Sequence, residues 1–133
     1  MVLVDSSVWV DYFNGVATPA AQKLDELLEL EPLAVGDVIL TEVLQGFRHD
    51  RDYRTARELL TSLTVVEMLG QELAIRSADN FRRLGKLGVT VRKTIDVIIA
   101  TGCIEKKLSL LYSDRDFDPF CEHLGLRNAL HDA

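Results

Sequence analysis

The sequence predicts an α/β fold: a three-layer α/β/α sandwich around a mostly parallel, twisted sheet of four to five strands. Two observations predict it. Short apolar runs alternate with longer amphipathic segments, the pattern of strands joined by crossover helices. Hydrophobic residues make up 47% of the 133 residues, enough for one buried core, and the length leaves no room for a second, so 1–133 reads as a single domain.

The elements follow in order. Val2-Leu3-Val4 is a short β-like run ending at Asp5. Ser6 and Ser7 offer N-caps to a helix carrying Val8, Trp9, Tyr12 and Phe13, which Gly15 ends. Ala20 to Leu30 is an amphipathic helix with Leu24, Leu27 and Leu28 inward. Pro32 breaks the pattern, and Leu33-Ala34-Val35 is a second strand. Asp37 can cap a helix through Ile39, Leu40, Val43, Leu44 and Phe47, and another helix runs from about Asp52 to Leu63. Thr64-Val65-Val66 is a third strand. Leu73, Ala74, Ala78, Phe81 and Leu84 recur at helical spacing between Gln71 and Leu87, before Gly88. Thr94 to Lys106 is a more apolar helix, Leu108 to Tyr112 a buried strand, and Leu126 to Leu130 a candidate last strand.

Composition narrows the function. No apolar run approaches the roughly 20 residues needed to span a bilayer. The start, Met1-Val2-Leu3-Val4-Asp5, has neither a basic leader nor a cleavage site. Cys103 and Cys121 are too few for a disulfide framework, and Cys103 reads as core packing. His49, His123 and His131 lack zinc-ligand spacing. The expected compartment is the cytoplasm. A net charge of −6 argues against nucleic acid unless the acids gather around a cation or the bases cluster.

Four carboxylates stand in unusual places. Asp5 follows the first strand, and Asp114 follows Leu110-Leu111-Tyr112 with Ser113 between, so both belong at the carboxyl edge where α/β folds bind ligands. Each can equally be a turn or cap aspartate. Glu42 lies between Val38-Ile39-Leu40 and Val43-Leu44, and Asp96 within Ile95-Asp96-Val97-Ile98-Ile99. Acids in such apolar helices must be paired, metal-bound or at an edge, because burying a lone carboxylate is costly. Asp96 could instead serve the helix dipole, and Glu42 could face solvent. If the four converge, two carboxylates ~4 Å apart repel by roughly 4 kcal/mol at an effective dielectric of 20. A hard divalent cation, Mg²⁺ or Mn²⁺, removes that penalty and suits phosphodiester hydrolysis.

These residues resemble the motifs of the PIN-domain family and, within it, the VapC toxins of bacterial toxin–antitoxin pairs. Val4-Asp5-Ser6-Ser7-Val8-Trp9 resembles the first motif. Leu40-Thr41-Glu42-Val43 with Gly46 resembles the second, Arg92-Lys93-Thr94-Ile95-Asp96-Val97-Ile98-Ile99-Ala100 the third, and Tyr112-Ser113-Asp114-Arg115-Asp116-Phe117 the fourth. Nearly the whole chain is covered. The resemblance implies a PIN-like sandwich and a metal-dependent endoribonuclease toxin cleaving cellular RNA. It implies metal ligation by Asp5, Asp96 and Asp114, with Glu42 a ligand or the holder of the water. Asp116 would be an auxiliary acid, and Ser113, where threonine is more usual, would orient the site. Ser6 and Ser7 could hydrogen-bond the same cluster. It also implies a homodimer and a cognate VapB-type antitoxin that blocks the acidic pocket, often with a basic side chain.

Basic residues offer an acidic protein ways to hold RNA. Arg92 and Lys93 lie one turn before Asp96 and could grip phosphates, or could be a solvated helix start. Arg48, Arg51, Arg54 and Arg57, and Arg82, Arg83 and Lys86, form two further runs that can equally be solvated faces. Trp9, Tyr12 and Phe13 fit core packing or a dimer contact better than base stacking. Two other functions fit less well: a non-cleaving RNA- or protein-binding module, against which the full acidic set argues, and a phosphotransfer domain using Asp114-Arg115-Asp116, which lacks the early strand and following threonine that chemistry needs.

Overall fold

The computed structural model describes residues 1–131. Five strands form one sheet in the order β3-β2-β1-β4-β5: β1 (Val2–Val4), β2 (Leu33–Gly36), β3 (Thr64–Val66), β4 (Ser109–Leu111) and β5 (Arg127–Asn128). Every neighbouring pair is parallel, with Val2, Leu3 and Val4 level with Ser109, Leu110 and Leu111. Helices α1 (Ser6–Phe13), α2 (Pro19–Leu30), α3 (Asp37–Gln45), α4 (Asp50–Thr61), α5 (Gln71–Lys86), α6 (Thr94–Lys106) and α7 (Asp118–Leu124) cover the sheet, giving the expected sandwich. The chain winds from β1 outward through β2 to β3, then resumes on the other side of β1 with β4 and β5. The direction reverses between β1 and β4, and the crevice outside the carboxyl ends at such a switch point is where parallel α/β sheets bind ligands.

The three central strands are short, largely apolar and buried, with Leu3, Val4, Leu33, Ala34, Val35, Leu110 and Leu111 in the core, whereas the edge strands β3 and β5 are largely exposed. Helix α6 is apolar nearly all round because it is buried on more than one side, packing on both β4 and α5. Its buried Thr101 accepts a hydrogen bond from Asn80 of α5 at 3.0 Å, which satisfies both groups away from water. Cys103 is fully buried beside it, and burial pushes its thiol up to about 12, so it remains a neutral packing group. Trp9 is likewise buried, stacked on Phe13.

Four local expectations are corrected. Asp5, rather than Ser6 or Ser7, is the N-cap of α1, its carboxylate accepting from the Ser7 amide. Its own amide donates to the Leu111 carbonyl at 2.9 Å, which holds Asp5 in the extended conformation a cap requires. Asp37 lies inside the first turn of α3, and its carboxylate accepts from the amides of Val38 and Met68. The fourth helix is shifted about two residues earlier than expected. The last strand shrinks to two residues, and the unassigned stretch before it forms a 3₁₀ turn (Arg115–Phe117) and α7.

Met68, fully buried, threads between two glycines. A Cβ added at Gly36 would lie 2.7 Å from Met68 Cγ, and one at Gly102 would lie 2.6 Å from its Cε. Contact on both sides leaves the side chain little room to swing. Gly36→Ala is expected to destabilise the protein by about 1–3 kcal/mol through overpacking. Thermal melting checks this, and an unchanged Tm would show that Met68 can move aside.

Candidate active site

The sheet edge between β1 and β4 gathers the acids. Asp5 leaves β1 directly and is 4% exposed; its carboxylate accepts from the Ser7 hydroxyl at 2.6 Å and the Ser7 amide at 3.3 Å. Glu42, midway along α3, accepts from the Ser6 hydroxyl at 3.2 Å, so two consecutive serines tie two acids from distant elements to the start of α1. Asp114 leaves the β4 edge and caps the 3₁₀ turn by accepting from the Asp116 amide at 2.9 Å. That turn carries Asp116 back toward Asp114. Asp96, in the first turn of α6, is 6% exposed.

Carboxylate oxygens of Asp96, Asp114 and Asp116 lie within 4.8 Å of one another. Among the described residues this is the one group of three or more such side chains close enough to share a cation, and it contains neither cysteine nor histidine. Asp116, expected in an auxiliary role, thus stands in the tightest cluster. Asp5 is near enough to Asp96 for the two to repel, and it also raises Glu42. Ser7 touches the site through Asp5. Ser113 is exposed and lines a neighbouring cavity.

The electrostatics are those of acids crowded in a poorly solvated place. Burial pushes the Asp96 carboxyl up to about 6; repulsion from Asp5, Asp114 and Asp116 adds to the shift, and Lys93 opposes it. Burial raises Asp5 despite its hydrogen bonds from Ser7 and the Ser6 amide, with repulsion from Asp114 contributing. Burial also raises Glu42, while Ser6 and Lys93 lower it. Two bases reach the cluster: Lys93, the N-cap of α6, acts on Asp96 and Glu42, and Arg92 pairs with Asp116 at 3.6 Å. Arg92 is 81% exposed, so this pair is loose and its guanidinium can exchange partners.

One atom is conspicuous. Asp96 Oδ2 is buried and has no hydrogen-bond partner among the described residues. An unsatisfied buried carboxylate oxygen is costly, and the carboxylate that carries it is clustered with those of Asp114 and Asp116. An all-oxygen donor set with one orphaned ligand atom fits a hard divalent cation. The residues present therefore suit Mg²⁺ or Mn²⁺.

Sequence reading missed the side chains that support this edge. Tyr112 donates to Asp118 at 2.7 Å and lies 3.4 Å from Cys121, and its ring rests on the buried Phe117. The available signal was Asp118-Pro119, an acid and a proline where a helix begins.

Known proteins resemble this chain throughout. The PIN-domain family profile matches residues 2–122. VapC ribonuclease Mb1587 of Mycobacterium bovis is 30% identical over 97% of this chain and 98% of its own length. The fold is shared with the VapBC2 structure from Rickettsia felis, which is bound to a promoter DNA fragment (TM-score 0.74, 15% identity, 96% of this chain and 97% of that one). It is shared too with a toxin–antitoxin complex from Klebsiella pneumoniae (TM-score 0.72, 19% identity, all of both chains). With the four acid-bearing segments at one sheet edge and the family profile running through all of them, the chain belongs to the PIN-domain family and, within it, to the VapC ribonucleases.

Proposed function

We propose that this protein is a divalent-metal-dependent endoribonuclease toxin whose active site is the cluster of Asp5, Glu42, Asp96, Asp114 and Asp116. The observation that carries the reading is the orphaned, buried Asp96 Oδ2 on a carboxylate clustered with those of Asp114 and Asp116. Asp96, Asp114 and Asp116, with Asp5 beside them, would hold Mg²⁺ or Mn²⁺. When bound, the ion supplies Lewis acidity for phosphodiester hydrolysis at neutral pH. Ser7 fixes the Asp5 carboxylate, and Ser6 fixes Glu42, which holds the attacking water. Lys93 and the exposed Arg92 sit beside the acids and hold the RNA phosphates on either side of the cleaved bond.

Family membership extends the reading to a homodimer kept inactive by a cognate VapB-type antitoxin in the cytoplasm, where its RNA lies. The surface supports such a partner. Val10, Phe13, Val43 and Phe47 line, together with Glu42, a groove of about 150 Å³, and Val10 is 44% exposed. An extended segment with an apolar residue in this groove would bring a following arginine against the acids. Among the described residues, no helix is long and apolar enough to cross a membrane.

Purified protein given single-stranded RNA and Mn²⁺ is expected to cut it, and Asp5→Asn or excess EDTA should each reduce cutting at least about a hundredfold. Circular dichroism should show Asp5→Asn folded. Cutting that survives chelation would falsify the metal mechanism.

A further inference from the structure

A second concave feature adjoins the acids. A cavity of about 290 Å³ opens between the end of β4, the start of α2 and the segment after β5, lined among others by Thr18, Tyr112, Ser113, Arg115, Asp118 and Asn128. One short stretch of chain feeds both places. Asp114 and Asp116 turn to the acidic cluster, while Ser113 and Arg115, alternating with them, line the cavity. The opening therefore lies beside the acids, within reach of the nucleotide next to a phosphate held there.

The lining has the chemistry of a base pocket. Pro19, Ala20 and Leu130 give an apolar wall for a ring face. Asp118 is held in place before any ligand arrives: one oxygen accepts from the Tyr112 hydroxyl at 2.7 Å, and Tyr112 is itself packed on Phe117 at 5.2 Å between ring centroids. Its other oxygen has no donor among the described residues. Thr18 uses its oxygen to cap α2, which leaves its O–H to donate, and the Asn128 oxygen accepts from the Leu130 amide, which leaves its NH₂ to donate. The cavity thus offers a fixed carboxylate acceptor with neutral donors around it. Of the four RNA bases, guanine alone presents two adjacent N–H donors on one edge, N1–H and N2–H₂, with the O6 acceptor next to them. Arg115, exposed at the rim and free of ion pairs among the described residues, supplies a cation for the ring face or the next phosphate. Single-stranded RNA, whose bases can splay outward, is the form that can use such a pocket.

We propose that this cavity is a guanine subsite, in which Asp118 reads the unpaired base next to the cleaved phosphodiester and so sets where the RNA is cut. This rests on the nuclease reading above. The test uses short single-stranded RNAs that differ only in the base flanking the cut. The wild type is expected to prefer guanine there by about tenfold or more in kcat/KM. Asp118→Asn keeps an oxygen toward Tyr112 but turns the free acceptor into a donor. It should move the preference off guanine by about tenfold while still cutting its own best RNA. Should that variant fail to fold, Arg115→Met changes only an exposed side chain and should raise KM for the guanine RNA about threefold. Asp118→Asn with an unchanged guanine ranking, or Arg115→Met with an unchanged KM, would overturn the subsite and leave the nuclease reading standing. So would a wild type that cuts RNA with no preference. A wild type that cuts no RNA at all would remove both.

Discussion

Asp96→Asn is expected to abolish RNA cleavage and also to make the metal-free protein more stable at neutral pH. Loss of activity follows from removing the carboxylate with the orphaned buried oxygen, and should exceed about a hundredfold. The gain in stability follows from the charge. In the folded protein the Asp96 carboxyl is pushed up to about 6 from an ordinary 3.8, chiefly by burial. The folded state therefore holds this proton more tightly than the unfolded state. Raising the pH from about 4 to about 6 strips it at a cost to the fold, and above about 6 the full cost is present. One pH unit of difference is about 1.4 kcal/mol, and solvent at the site's mouth screens part of the effect, so the cost is about 1–2 kcal/mol. Asparagine carries no such charge. Asp5 and Glu42 are raised in the same direction and slope both proteins, and the variant also relieves the repulsion between Asp5 and Asp96, so the quantity to read is the difference between variant and wild type. Without metal, the two should melt together near pH 4 and diverge in favour of Asp96→Asn by pH 7. Saturating Mn²⁺ should reverse the order, because it stabilises only the protein that binds it well. A wild type that melts above Asp96→Asn at pH 7 without metal would show that the buried Asp96 charge does not cost the fold.

Phe117→Ala is expected to carry the largest stability cost, about 3–5 kcal/mol. Phe117 is fully buried, and it closes the 3₁₀ turn between Asp116 and Asp118. That loss is a large share of the roughly 5–15 kcal/mol that holds a domain of this kind together. Tm should fall by more than about 10 °C. The same ring fixes the direction of the turn, and the turn alone brings Asp116 back to Asp114 and Asp96. Affinity for Mn²⁺ should therefore drop by about 10–100-fold, measured at a temperature where circular dichroism shows the variant folded. Unchanged affinity there would mean that the acids keep their places without this anchor.

Much of the molecule could be read from residues near in sequence. The alternation of Val2-Leu3-Val4, Leu33-Ala34-Val35 and Leu110-Leu111 with amphipathic helices determined a parallel sandwich, because strand and helix periods are local properties. Asp5 and Asp114 had to reach the carboxyl edge, since each closely follows a strand, and an acid inside the apolar start of α6 or the middle of α3 demanded a partner. Tertiary structure alone decided the rest. Asp5, Ser6 and Ser7 are all competent caps, and the hydrogen bond from the Asp5 amide to Leu111 on a neighbouring strand selected among them. The 3₁₀ turn and α7 are too short to show a period, and the burial of Phe117 and Phe120 in a core built elsewhere stabilises them. That packing promoted Asp116 into the tightest cluster and set Asp118 against Tyr112. Which acids meet depends on the pairing of strands more than a hundred residues apart in the chain, and that pairing is a contest among burial and hydrogen bonds that only the assembled sheet resolves.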